Sequence, residues 1–174
     1  MATTLLLLCV LSADPTPENP WLNAKVGDTA TYKTTITHDN TQHTTSFTLK
    51  KTITAVTSDT VTVQIEGISP DGKPVKNLMK YDLKKKYDRT EIFGGPDGER
   101  IKLGEGNEKI TIAGRAFDCK WISIQATNSV SGKKVITTGR LWYSTESPFE
   151  GLVKRESDLL GVKTLDELVS FGKK

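Results

Sequence analysis

Two histidines on either side of a short polar segment are the side chains best suited to bind a metal. His38 and His43 flank residues 39–42. If that segment closes a hairpin, the two imidazole rings face each other with Cβ atoms about 5 Å apart, and Asp39 could supply a third ligand. Zinc sites need three or four well-ordered ligands with outer-shell support. We therefore expect a solvated, Thr-rich hairpin here and predict no metal.

Paired carboxylates are the next candidates for chemistry. Glu146 and Glu150 are of the residue type that hydrolyses glycosidic bonds, but any protein with 21 acidic residues contains such pairs. The chain has no Gly-x-Ser-x-Gly elbow and no convincing Ser/His/Asp set. Its glycine-rich segments, 94–98 and 104–106, precede no credible helix and lack the aligned N–H donors of a phosphate loop. We predict no catalytic residue, no cofactor and no enzymatic activity.

A run of three lysines could form a basic patch for an anionic lipid or polymer. Lys84, Lys85 and Lys86 would alternate between the two faces if they lie on a strand, and such charges also protect an edge strand from unwanted pairing. We favour the edge or solvated-face interpretation. The formal net charge of +3 is too evenly balanced for a nucleic-acid-binding surface, which concentrates basic residues on one face. No nucleic-acid partner is predicted.

The three tryptophans offer another possible surface. Trp21, Trp121 and Trp142 could form an exposed aromatic platform for a glycan or a peptide, with Trp142 the best candidate for exposure. The alternative is packing in the core or on a sheet face, where large aromatic side chains contribute most. We favour packing.

The elements that position these residues are predicted to be strands. Apolar and polar side chains alternate over most of the chain, and this period of two residues is typical of half-buried strands. In the second of the four runs below, Lys51 occupies a position where the alternation predicts an apolar residue. The apolar positions of four successive runs are Ala30, Tyr32 and Ile36; Phe47, Leu49, Ile53 and Ala55; Val61, Val63 and Ile65; and Met79, Tyr81, Leu83 and Tyr87.

Turn-forming residues separate these runs at spacings of roughly eight to fifteen residues, which is typical of a meander of hairpins. The last segment, 164–172, suits either a helix turn or a strand, and we choose a strand. The prediction is one all-β domain of about nine to eleven antiparallel strands. These strands would form a strongly curved sheet, as a half-barrel or an open barrel.

One stretch has apolar residues of both parities. Phe117, Cys119 and Trp121 share one parity, whereas Ile122 and Ile124 share the other. Either a β-bulge shifts the register near Trp121, or the strand is covered on both faces. We expect Cys119 to be buried, since a lone thiol between large apolar neighbours usually packs as a small apolar side chain.

The N-terminus indicates export. Residues 1–13 contain a short apolar run that ends in small residues and resembles a signal peptide, although no Lys or Arg precedes the run. The run is too short to span a bilayer as a mature helix. We expect a signal peptide over 1–13, an extended lead-in over 14–24 pinned by Trp21, and a single antiparallel β domain over 25–174. The predicted location is the periplasm, the cell envelope or the extracellular space.

Several short motifs together suggest a family. They are Asn19-Pro20-Trp21, Gly27-Asp28, Asp82-Leu83-Lys84-Lys85-Lys86-Tyr87-Asp88, Phe117-Asp118-Cys119-Lys120-Trp121, Trp142-Tyr143-Ser144 and Gly151-Leu152-Val153-Lys154. With these motifs the chain resembles uncharacterised exported bacterial β-rich proteins of a planctomycete-like kind. More distantly, its strand succession resembles the half-barrel of periplasmic lipoprotein carriers, although no clear helices are present to form a lid.

The resemblance and the alternation together imply a non-catalytic envelope binding module. Its ligand would be apolar or amphiphilic and would lie on the concave face. The predicted lining residues are Tyr32, Phe47, Leu49, Val63, Ile65, Tyr81 and Trp121. The alternative is a structural module that docks to another envelope protein through a strand edge.

Overall fold

Nine antiparallel strands form almost all of the protein that the computed structural model describes, which is residues 19–94, 98–130 and 133–172. A 3₁₀ turn, η1 (Pro20–Asn23), stands where an extended lead-in is predicted, and one short helix, α1 (Glu91–Gly94), follows the fourth strand. The predicted signal peptide lies outside the described residues. The strands are β1 (Thr29–His38), β2 (His43–Val56), β3 (Thr60–Ile68), β4 (Pro74–Asp82), β5 (Glu99–Ile112), β6 (Arg115–Val130), β7 (Lys133–Tyr143), β8 (Leu152–Leu159) and β9 (Val162–Gly172).

The strands form one sheet in the order β4-β3-β2-β1-β9-β8-β7-β6-β5. Seven of the eight neighbouring pairs are successive in the chain, and β1 with β9 is the exception. The two edges, β4 and β5, do not pair with each other, so the sheet remains an open half-barrel. This confirms the predicted all-β class, the antiparallel meander and the open, curved sheet.

Local turn chemistry explains two of the hairpins. Ala113 and Gly114 join β5 to β6 with φ angles of 51° and 76°, and Leu160 and Gly161 join β8 to β9 with φ angles of 54° and 77°. Two successive residues with positive φ form a type I′ turn, whose twist matches that of the flanking strands. Glycine at the second position lowers the steric cost.

The register assigns each side chain to one of two faces, because directly opposed residues of neighbouring strands share a face. Tyr32 lies opposite Leu168, and along the same face Asp166 opposes Arg155, which opposes Leu141, which opposes Ile122. We call this face the inner face. Its buried apolar residues include Ala30, Tyr32, Ile53, Val63, Ile124, Ala126, Leu141 and Leu168.

The outer face also buries aromatic side chains. Trp121 and Trp142 are directly opposed on it, and Arg140 stacks 4.5 Å from the Trp121 ring and 5.5 Å from the Trp142 ring. The pairing of β6 with β7 runs through Trp121 without a shift. Of the two explanations for the mixed parity here, coverage of both faces is therefore correct.

The packing predicted for the tryptophans holds for Trp142, whereas the placement of the lysine run on a strand needs correction. Trp142 is 4% exposed, because its indole N–H donates to Glu108 at 2.8 Å and Lys154 lies over its ring. The lysine run does not lie on a strand, since β4 ends at Asp82, whose carboxylate accepts the backbone N–H of Lys84 at 2.8 Å. That local bond favours a turn over further pairing. Cys119, by contrast, is buried as predicted.

Glycine at position 106 provides the space for the Trp121 indole. A Cβ there would lie 2.9 Å from the indole nitrogen, whereas one at Gly104 would lie at an ordinary 3.5 Å from the same ring. We expect Gly106→Ala to lower the free energy of unfolding by about 1–3 kcal/mol, as overpacking does. Gly104→Ala should leave it unchanged or raise it by up to about 1 kcal/mol. Urea denaturation measures both, and equal effects would contradict this packing.

Candidate functional site

The part of the inner face around Tyr81 of β4 is covered by η1 and by the β7–β8 loop, and we call it the covered half. Trp21 of η1 stacks on Tyr81 of β4 with ring centroids 4.1 Å apart. Phe149, from the β7–β8 loop, tilts against Trp21 at 5.8 Å. Phe149 holds a positive φ of 58°, a conformation that a non-glycine residue adopts only when its surroundings impose it. The loop is thus held over the inner face by packing.

The connection between β4 and β5 also covers part of the inner face. Asn19 donates to the backbone carbonyl of Lys85 at 3.2 Å. Further along, Phe93 of α1 packs so closely on Gly139 that any side chain there would overlap its ring. The Phe93 carbonyl accepts a hydrogen bond from Asn128 of β6 at 3.2 Å. The connection therefore extends from the β4 edge to β6 and β7, and contributes its own side chains to the core.

The other half of the inner face keeps large apolar side chains only half-buried. Phe47 and Leu49 on β2 and Ile65 on β3 point to this face, and we call these three residues the apolar stripe. The Leu49 side chain packs against Gly67 of β3, where a Cβ would overlap it. Nearby on the same face, Met79 is 44% exposed. The stripe and Met79 together form an apolar part of the inner face that is not fully buried.

The seven predicted lining residues fall into three groups. The apolar stripe is half-buried, with Ile65 packed against the core. Tyr32 and Val63 are buried in the core, and Tyr81 is half-buried beneath Trp21. Trp121 does not join them, because it lies next to Ile122 on β6 and so faces outward. Alternation alone does not assign Trp121 to a face, because apolar residues of both parities occur on β6 at this point.

A buried ion pair connects the covered half to the stripe. Lys51 Nζ lies 2.7 Å from Glu150 Oε1, and the two side chains are 17% and 10% exposed. Lys51 also stands 5.1 Å from the centre of the Tyr32 ring. It follows Leu49 by two residues on β2 and so lies on the same face. The pair ties the β7–β8 loop to β2, and a buried charge of this kind needs its partner.

A second ion pair lies further along the inner face. Asp166 of β9 accepts from Thr34 Oγ1 at 2.5 Å and from Arg155 Nε at 2.6 Å. Asp166 is buried, so its carboxylate depends on these donors in place of water. Together the two pairs place a line of polar groups along the apolar inner surface.

Burial and the Glu150 charge suppress ionisation of three tyrosines. Desolvation raises the pKa of Tyr32, Tyr81 and Tyr87 well above the usual value, and the negative charge of Glu150 raises each of them further. The Tyr32 hydroxyl donates to the carbonyl of Leu152 at 3.2 Å. These phenols remain neutral hydrogen-bonding groups at physiological pH.

On the outer face, burial raises the pKa of the Cys119 thiol to about 11, which disfavours a reactive thiolate.

The candidate catalytic and metal-binding groups do not converge. His38 and His43 are directly opposed, as the hairpin predicts, but no group of three or more metal-ligating side chains occurs within the described ranges. Glu146 pairs with Arg115 at 3.0 Å near the surface, whereas Glu150 is buried against Lys51. The two carboxylates thus have different cationic partners and different surroundings.

Comparison with known proteins gives a fold similarity and no family. No protein-family model and no curated protein matches the chain. A crystal structure from Bacteroides fragilis NCTC 9343, of a protein assigned as exported and with a YmcC-like fold, is similar at a TM-score of 0.53 and 11% identity. The match covers 86% of this chain and 97% of that chain. At this identity the similarity shows the fold alone.

Two further crystal structures are more distant. One is of a protein from Parabacteroides distasonis ATCC 8503 assigned as a lipoprotein, with a TM-score of 0.48, 14% identity, and coverage of 85% of this chain and 96% of that chain. The other is of a LolA superfamily protein from Nitrosomonas europaea, with a TM-score of 0.34, 8% identity, and coverage of 91% of each chain. A planctomycete-like origin finds no support in these similarities. None of the helices in the described segments is long and apolar enough to cross a membrane.

The tyrosine environments predict how the protein unfolds in alkali. Because the pKa values of these tyrosines are raised in the folded state, their contribution to stability is complete below the ordinary tyrosine pKa of about 10 and is lost as pH rises above it. We expect the absorbance of tyrosinate from Tyr32, Tyr81 and Tyr87 to appear together with loss of β-sheet circular dichroism. Ionisation of all three tyrosines near pH 10 in a protein that keeps its sheet would contradict the burial described here.

Proposed function

We propose that the protein is an exported, non-catalytic binding module of the cell envelope or periplasm. Its ligand is apolar or amphiphilic and lies on the inner face of the half-barrel. Binding, and no chemical step, is the function, since the polar groups of the inner face are organised as ion pairs and neutral phenols. The apolar N-terminal run and the fold shared with a protein assigned as exported support the location.

The apolar stripe carries this proposal. A half-barrel that only packed its own core would cover its inner apolar side chains throughout. Here the loops cover one half, while Phe47 and Leu49 on the other half stay half-buried and Met79 is 44% exposed. Apolar binding surfaces with a few placed polar groups are typical of small-molecule sites. An alkyl chain laid along β2 would contact the stripe and end near the Lys51–Glu150 pair.

A second candidate function is docking of another envelope protein through a strand edge. Strands β4 and β5 are the two edges of the sheet, and each presents one row of backbone N–H and C=O groups without a strand partner. On β4, Leu78 is 65% exposed. Addition of a partner strand would use these groups and would not need the apolar stripe.

Substitutions on neighbouring positions of β2 separate the two functions. We expect Phe47→Asp to weaken binding of the neutral apolar dye N-phenyl-1-naphthylamine about tenfold or more, because a charge on the stripe must be desolvated by the ligand. Thr48→Asp places the same charge on the outer face and should leave dye binding unchanged. Fluorescence titration of both full-length variants measures the difference, and any contribution from residues 1–13 is equal in both.

Two results would contradict this proposal. Equal dye affinity of the two variants would show that the apolar ligand does not bind at the apolar stripe. Absence of dye binding by the unsubstituted chain would remove the ligand-binding proposal and favour docking through β4 or β5.

A further inference from the structure

Three buried polar atoms of the described residues make no hydrogen bond within the protein. They are the indole nitrogen of Trp21, Nε of Arg89 and Oε2 of Glu150. Trp21 is 1% exposed and Glu150 is 8% exposed. A buried polar group without a partner costs free energy, and most such groups in folded proteins have one. Three of them in one region therefore indicate a site that a polar group completes.

The three residues converge on one part of the covered half. Trp21 packs on Tyr81 and on Phe149, the neighbour of Glu150 in the chain. Arg89 lies 5.4 Å from the centre of the Tyr87 ring, and the charges of Arg89 and Glu150 both influence the pKa of Tyr87. Two N–H donors and one carboxylate oxygen thus lie near the same two tyrosines, Tyr81 and Tyr87.

This cluster adjoins the apolar stripe. Lys51 holds Oε1 of Glu150, and Leu49 is the next inner-face residue on β2. Successive residues on one face of a strand are about 7 Å apart. A ligand whose alkyl chain lies on the stripe would therefore bring its polar end to the Lys51–Glu150 pair.

We propose that the region formed by Trp21, Glu150 and Arg89 is a headgroup subsite for a neutral, hydroxyl-bearing amphiphile. The inference rests on the proposed function and specifies the class of its ligand. A hydroxyl group donates one hydrogen bond and accepts others, so it can donate to Glu150 Oε2 and accept from an N–H of Trp21 or Arg89. A carboxylate cannot donate to Glu150, and an ammonium cannot accept from the two N–H groups.

Competition between two lipids that share one acyl chain tests this subsite. Glycerol monooleate carries free hydroxyl groups, whereas methyl oleate has none. We expect glycerol monooleate to displace N-phenyl-1-naphthylamine from the full chain at about tenfold lower concentration, as expected for a hydrogen bond to a charged group. The dye itself carries no headgroup and reports only on the apolar surface.

Glu150→Gln tests the role of the carboxylate. The amide oxygen can still accept from Lys51, while an NH₂ donor replaces the oxygen that has no partner. Because the hydrogen bond to a charged acceptor is lost, we expect the preference for glycerol monooleate over methyl oleate to fall in this variant. Direct titration of the variant with the dye measures any change in the apolar surface separately. Glu66→Gln, the same change at an exposed outer-face position on β3 that pairs with Lys76, should retain the preference. Trp21→Phe removes one donor while keeping an aromatic ring, and should reduce the preference if Glu150→Gln does not fold.

The outcomes separate the two proposals. Equal displacement by both lipids, or a preference that Glu150→Gln retains, overturns the headgroup subsite and leaves the apolar ligand in place. Absence of dye binding overturns both. Loss of the preference in Glu66→Gln as well would show that it does not come from the buried carboxylate, and would also overturn the subsite.

Discussion

The open edge between β4 and β5 is the constraint on which the rest of the structure depends. The inner face of this single curved sheet is apolar and has no second sheet to pack against. Because β4 and β5 do not pair, hydrogen bonds do not close the barrel around that face. The covering must come from the connections. Trp21 before β1, Phe93 after β4 and Phe149 after β7 are all buried in the same hydrophobic core. The part of the inner face outside the covered half retains the apolar stripe.

Covering a sheet with loops brings polar backbone and charged side chains into the core, and this explains the chemistry of the covered half. Glu150 lies in the loop that must cross the inner face, and Lys51 is placed on β2 to meet it. Each group neutralises the other, and the tyrosines around them stay protonated because they are desolvated beside a negative charge. The ion pair is thus a consequence of loop coverage, and it also borders the surface where a ligand would lie.

Much of the fold could be predicted from the sequence, and the site only in part. Period-two alternation identified the strands, and it placed Phe47, Leu49 and Ile65 on one face. It could not show that β1 pairs with β9, because that contact joins the two ends of the chain, nor the face of Trp121, because β6 is covered on both sides. The sequence singled out Lys51, because it is a charged residue at an apolar position of a strand. It did not predict that Glu150 is the partner of Lys51, because the path of the β7–β8 loop depends on tertiary packing.

The proposed function requires that the half-barrel carries an apolar or amphiphilic ligand. Mass spectrometry of the protein purified without detergent, in its native state and after organic extraction, measures this without assuming which ligand is bound. We expect a stoichiometric, extractable molecule with an alkyl chain. A ligand-free mass, for protein produced in a host that contains such lipids, would contradict it and direct attention to the edges β4 and β5 as protein-docking surfaces.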